Sequence, residues 1–105
     1  MLTREVPRGD GRLRYAVSGR NHGAPLLLLH PLGAGLEVWQ PQLAELELRF
    51  RVLRIDLRGH GGSTLGEGPP APCSMADLLD DALAVLDAEG IARAHWCGVS
   101  LGGAI

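Results

Sequence analysis

Residues 94–103, Ala94-His95-Trp96-Cys97-Gly98-Val99-Ser100-Leu101-Gly102-Gly103, pass from a short apolar run into a serine flanked by glycines. Within them Gly98-Val99-Ser100-Leu101-Gly102 has the form G-x-S-x-G. Residues 92–99 (ARAHWCGV) read as a short strand, and a helix is expected to open directly after Ser100. A strand, a sharp turn and a helix is the context in which this motif works as a nucleophile elbow. The turn must hold the serine in a strained conformation so that its hydroxyl projects away from the sheet. Gly98 and Gly102 leave room for neighbouring backbone, and Gly103 lets the helix approach. The first N–H groups of that helix would face a developing oxyanion. Ser100 is therefore the candidate nucleophile and Leu101 the first candidate N–H donor.

The elements upstream fit the same scheme. Residues 25–29 (PLLLL) form an unbroken apolar run between Gly23 and His30-Pro31, the signature of a strand buried on both faces. Residues 12–18 (RLRYAVS) read as a strand with Leu13, Tyr15 and Val17 on one face. Leu2–Val6 would be the other arm of a hairpin, turned at Arg8-Gly9-Asp10-Gly11. After the loop 32–39 a helix is expected with Pro41 in its first turn and Leu43, Leu46 and Phe50 near one face. Residues 50–57 (FRVLRIDL) read as a strand with Val52, Leu53 and Ile55 in the core. A long Gly- and Pro-rich surface loop is expected over 58–73. Ser74 then reads as an N-cap with Asp77 three residues on. The following helix carries Met75, Leu79, Ala82 and Leu86 in an apolar stripe widened by Leu78 and Val85, with Asp80, Asp81 and Asp87 elsewhere, and ends at Gly90. Alternation of strands and helices predicts an α/β fold, a mostly parallel sheet with right-handed crossover helices.

The 105 residues are enough for one domain and too few for two. Hydrophobic residues make up 46% and charged residues 21%, which excludes a disordered chain. Ten basic against twelve acidic residues leave no basic stripe for nucleic acid. The longest aliphatic run, Leu26–Leu29, is far short of the ~20 apolar residues of a membrane span. No apolar leader opens the chain. Cys73 and Cys97 have no C-x-x-C spacing, so neither a disulfide framework nor a zinc site is readable, and two free thiols suit a reducing cytoplasm. Cys97, in its apolar run, is expected in the core. The chain closes on Leu101–Ile105, just after the turn, which predicts that residues 1–105 are part of a longer protein.

A second oxyanion donor is expected where His30-Pro31-Leu32-Gly33 leaves the most buried strand. Pro31 has no N–H, so the donor is Leu32. His30 is expected to pack or hydrogen-bond within its loop rather than act as a base. Asp56-Leu57-Arg58-Gly59-His60-Gly61-Gly62-Ser63 has the composition of a triad but sits on one tight turn, so Asp56 and Arg58 are expected to hydrogen-bond that turn. His22 and His95 read as surface or packing residues. A dinucleotide fingerprint G-x-G-x-x-G is excluded because Ser100 stands at its middle glycine, where backbone must approach a pyrophosphate. No metal or cofactor motif is present, so none is expected.

The stretches HPLGAGLEVWQPQLAEL (30–46), RFRVLRIDLRGHGGS (49–63) and AHWCGVSLGGAI (94–105) together resemble the N-terminal half of an α/β-hydrolase. The pattern is similar to that of 3-oxoadipate enol-lactonases in its SLG-type loop, W-x-PQ segment, RGHG-S turn and CG-x-S-x-GG elbow. The resemblance covers residues 12–105. It implies Ser100 as nucleophile, Leu101 and Leu32 as oxyanion-hole donors, and adjacency of the strands ending at His30 and Gly98. It also implies that the catalytic acid, the catalytic histidine and the cap over the substrate come later in the chain than Ile105, making 1–105 a partial domain. Related hydrolases of C–C bonds and esters and cofactor-free haloperoxidases share these features. Dehalogenases and epoxide hydrolases usually carry Asp at the elbow, and Ser100 argues against them.

The expected activity is that of a serine hydrolase acting through an acyl-enzyme on a small-molecule carboxylic ester or lactone, with no nucleic-acid or membrane partner. The alternative is a non-catalytic α/β-hydrolase-like binding module, or a fragment inactive by itself.

Overall fold

The computed structural model describes residues 2–66 and 73–105. Its elements run β1 (Leu2–Arg8), β2 (Gly11–Gly19), β3 (Ala24–Leu29), a 3-10 helix (Leu36–Gln42), α1 (Leu43–Leu46), β4 (Phe50–Ile55), α2 (Met75–Ala88), β5 (His95–Gly98) and α3 (Leu101–Ala104). The strands form one sheet in the order β1-β2-β4-β3-β5. β1 and β2 are the arms of the expected hairpin, longer than the sequence indicated, and Gly9 takes a φ of 54° at its turn. β2 pairs antiparallel with β4, whereas β4, β3 and β5 are mutually parallel.

β3 lies between β4 and β5, and its four leucines are all buried. Because side chains alternate along a strand, Leu27 and Leu29 enter one core with Leu53, Ile55 and Val85, while Leu26 and Leu28 enter the other with Trp39 and Leu43. Complete burial of a leucine is worth about 1.5–3 kcal/mol, so this strand anchors both layers.

Three helical expectations are revised. The first helix is only one α-turn, Leu43–Leu46, preceded by a 3-10 segment with Pro41 inside it. Pro41 has no N–H to donate and disfavours α geometry at Gln40, so the chain winds tighter before the α-turn begins. Phe50 opens β4 instead of continuing that helix, although Leu43, Leu46 and Phe50 do meet in one cluster. α2 has the predicted capping box, with Asp77 N–H donating to Ser74 Oγ (3.2 Å) and Ser74 N–H to Asp77 Oδ2 (2.8 Å), and Gly90 follows it at a φ of 68°. Its buried face, however, is centred on Leu78, Ala82 and Val85, leaving Met75 and Leu79 partly exposed. The rotation brings Asp81 into the interior, where it accepts from Arg58 Nε (2.6 Å) and Arg8 Nε (3.0 Å).

β5 is shorter than expected, starting at His95, and among the described residues forms an edge of the sheet. Cys97 is exposed there rather than in the core, because among the described residues β5 pairs with β3 alone and lies at the rim of the sheet. Residues 67–72 of the expected surface loop lie outside the described residues. Its start is not a loose connection: Ser63 is buried, and Thr64 and Arg12 exchange backbone hydrogen bonds of 2.8 and 2.9 Å.

Candidate active site

The C-terminal ends of the parallel strands are where ligands bind in open α/β sheets. β3 and β5 are neighbours there, with Leu29 opposite Gly98, so the loop after β3 and the turn after β5 leave the sheet side by side. The adjacency implied by the resemblance is present.

Ser100 occupies the turn with φ 55° and ψ −116°, and among the described residues it is the one non-glycine at positive φ. Such a conformation costs on the order of 1–3 kcal/mol and persists only when the surroundings enforce it. Val99 N–H donates to the Leu29 carbonyl at 3.2 Å, Gly102 N–H to Val99 O at 3.0 Å, and Ala104 N–H to Ser100 O at 3.1 Å. The glycines complete the clamp. A Cβ on Gly98 would run into the backbone of Gly102, with Gly103 N at 2.6 Å, and a Cβ on Gly102 would run into the Leu29 carbonyl, with His30 O at 2.8 Å. Ser100 is exposed and its hydroxyl makes no cap to α3, unlike Ser74 on α2. The strain therefore does not serve helix capping.

Opposite the elbow, residues 31–35 curl with Gly33 at a φ of 81°. Leu32 is exposed and lies in this loop next to Pro31. Pro31, Val38, Trp39, Gln42 and Val99 line a mostly apolar groove of about 320 Å³. Pro31 precedes Leu32 and Val99 precedes Ser100, so the groove adjoins both strand ends.

The histidines and the acidic turn serve this framework. His30 is fully buried; its Nδ1 donates to the Pro31 carbonyl at 2.7 Å and its Nε2 accepts Leu57 N–H at 2.9 Å. Burial pushes its pKa below the ordinary histidine value, partly offset by the Pro31 carbonyl. The loop hydrogen bond expected for His30 is present, and the bond to Leu57 extends it to the adjacent strand end. His60 likewise donates from Nδ1 to Arg58 O (3.0 Å) and accepts Gly33 N–H at Nε2 (3.0 Å). A carbonyl can only accept, so both imidazoles are neutral Nδ1–H tautomers. Their ring centroids are 5.1 Å apart.

Asp56 is also fully buried. It accepts from Leu36 N–H (2.7 Å), Gly62 N–H (2.9 Å) and Arg14 Nη1 (3.1 Å), and this bond is the main cause that raises the Arg14 pKa. Asp56 thus holds its own turn, as expected, whereas Arg58 reaches out to Asp81 on α2. His22 precedes β3 and His95 opens β5, at the opposite end of the strands from Ser100. The role of His60 at Gly33 was missed. The available signal was that 30–35 and 56–63 both leave strand ends, but their pairing requires β3 and β4 to be adjacent.

The chain belongs to the α/β hydrolase fold family, whose model matches residues 24–105. Among its relatives, 3-oxoadipate enol-lactonase 1 of Acinetobacter baylyi is 36% identical over 91 residues, covering 87% of this chain and 33% of the lactonase. The crystal structure of a hydrolase from Pseudomonas aeruginosa PA01 superposes with a TM-score of 0.88 at 40% identity, over 96% of this chain and 37% of that one. The enol-lactonase from Burkholderia xenovorans LB400 superposes with a TM-score of 0.86 at 39% identity, over 95% of this chain and 38% of the lactonase. The chain spans about a third of the length of the curated relatives it matches, 33% and 34% for the two Acinetobacter lactonases.

Proposed function

We propose that this chain carries the nucleophile and oxyanion half of a serine hydrolase acting on carboxylic esters or lactones. The observation that carries the reading is Ser100 at φ 55° on a strand-to-helix turn, strained, exposed and not used as a cap. Its Oγ would attack the substrate carbonyl. The N–H groups of Leu101 and Leu32 would stabilise the resulting oxyanion, whose collapse expels the alcohol or enol and leaves an acyl-enzyme that water hydrolyses. The apolar groove suits a carbon skeleton beside the reacting carbonyl. The preference for a lactone rests on the names of relatives that are 36–39% identical.

The general base and its acid belong, in this reading, to a part of the protein beyond residues 1–105. Two observations support it. Both nitrogens of His30 and of His60 are engaged, and His22 and His95 stand at the wrong end of the sheet. Without a base a serine hydroxyl is a weak nucleophile, so these 105 residues alone should not turn over simple esters. The same absence favours the second reading, a module of this fold that binds without turnover; the strained Ser100 favours the first. No cofactor or metal enters the reaction as proposed, and two free thiols support a cytoplasmic setting.

The test is steady-state hydrolysis of small esters and lactones by the complete protein. Ser100→Ala should lower kcat on the order of 10⁶-fold. Turnover unchanged by that substitution would overturn the assignment.

A further inference from the structure

We propose that His60 is a positioning residue for the oxyanion donor Leu32; this rests on the hydrolase reading above. The loop 31–35, whose Pro31 lines the groove, has no regular structure, so its orientation depends on a few specific bonds. Its internal bond is a turn from Ala34 N–H to Pro31 O (3.2 Å), and the first bond of the 3-10 helix, from Val38 N–H to Gly35 O (3.1 Å), ties its far end. Two further amides are gripped from outside by side chains of one turn, 56–62. Gly33 N–H donates to His60 Nε2 at 3.0 Å, and Leu36 N–H donates to Asp56 Oδ1 at 2.7 Å. Gly33 directly follows Leu32, so the bond to His60 anchors the peptide plane between them, and the Leu32 N–H is separated from that anchored plane only by the φ and ψ of Leu32.

The turn is itself rigidly built. His60 is oriented by its second nitrogen on Arg58 O, and Arg58 is tied to buried Asp81 through both Nε (2.6 Å) and Nη2 (2.8 Å). Gly61 takes a φ of 50° and lies so close to the Asp56 carboxyl that a side chain there would overlap it. A path of named bonds therefore runs from α2 through Arg58 and His60 to the amide next to Leu32. Catalytic donors need placement to a fraction of an ångström, and a displacement of about 1 Å can cost about a hundredfold. In this role His60 acts through the Gly33 N–H that its Nε2 accepts.

The experiment compares His60→Leu and His60→Gln in the complete protein, with Ser100→Ala alongside. Leucine keeps bulk and removes the acceptor, while the glutamine Oε1 can accept the Gly33 N–H. His60→Leu should lower kcat by about tenfold to a hundredfold with KM changed less than about twofold, since removing a donor outright costs about 10²–10³. Affinity for a boronic-acid transition-state analogue should weaken by the same factor as kcat/KM. Glutamine should recover most of both. Wild-type kcat in His60→Leu, equal impairment of both variants, or a loss confined to KM would overturn the role. Nitrogen-15 NMR of the unmodified protein should report an Nδ1–H tautomer at His60, and an Nε2–H tautomer would overturn it even where a variant fails to fold. Turnover that survives Ser100→Ala would overturn the hydrolase reading itself. A dead Ser100→Ala beside a fully active His60→Leu would overturn only the role of His60.

Discussion

Gly102 packs against the carbonyl of Leu29 so closely that no side chain fits between them. Through this contact and the bond from Val99 N–H to the same carbonyl, the turn that carries Ser100 is pressed onto the end of β3. Gly102→Ala should therefore force the turn away from β3. The expected result is a loss of about 1–3 kcal/mol in stability, as for overpacking, together with reduced reactivity at Ser100. Urea denaturation measures the first, and the rate of acylation by an activated ester in the complete protein measures the second. Full stability and full reactivity would show that the contact does not constrain the turn.

Asp56 gives a second prediction. Its buried carboxylate is the common acceptor for Leu36, Gly62 and Arg14. Asp56→Ala takes this acceptor from the Leu36 and Gly62 N–H groups and leaves Arg14 with Glu37 alone, and should cost on the order of 3 kcal/mol. Asp56→Asn keeps the volume and one acceptor and should cost less. Chemical denaturation of the two variants checks the order.

Much of this architecture was legible in the sequence because it rests on local signals. The apolar run 25–29, the capping box Ser74–Asp77 and the Gly98–Gly103 elbow need only neighbouring residues to be read, and all three are present. What escaped depends on packing between distant segments. Asp81 falls outside the apolar stripe in the sequence, and only the approach of Arg58 and Arg8 accounts for its burial. Met75 and Leu79 fit a helical stripe, yet the sheet meets α2 one position further round. Pro41 permits a helix start, and only the tighter 3-10 winding shows what it does here. In the site, the serine turn was readable from spacing, whereas the grip of His60 on Gly33 required the strand order.

His30 makes stability depend on pH. Burial lowers its pKa below the ordinary histidine value of 6.5, so the native state holds the neutral ring and the unfolded chain binds the proton first. Its contribution is fully present above about pH 6.5 and is lost as pH falls through the lower native value. Urea midpoints should decline from pH 8 to pH 5, with a flatter profile in His30→Gln. An equal slope in that variant would remove His30 as the cause.

Tyr15 titrates at the other extreme. Burial, and then its hydrogen bond to Glu89 at 2.6 Å, push the phenol up to about 12 from 10.0. The neutral form is favoured in the native state, so this contribution is complete below about pH 10 and is lost as pH rises through the native value. Tyr15 is the single tyrosine of the chain, so an ultraviolet phenolate titration reads it directly. Glu89→Gln should move the midpoint down toward the ordinary value. A midpoint near 10 in the unmodified chain would contradict the buried pairing.

The central claim is that Ser100 is a nucleophile held ready by backbone strain. Treating the complete protein with a fluorophosphonate and mapping the adduct by peptide mass spectrometry tests it most directly. The account predicts one covalent adduct on Ser100, absent in Ser100→Ala. No adduct on Ser100, or labelling that persists unchanged in Ser100→Ala, would contradict it.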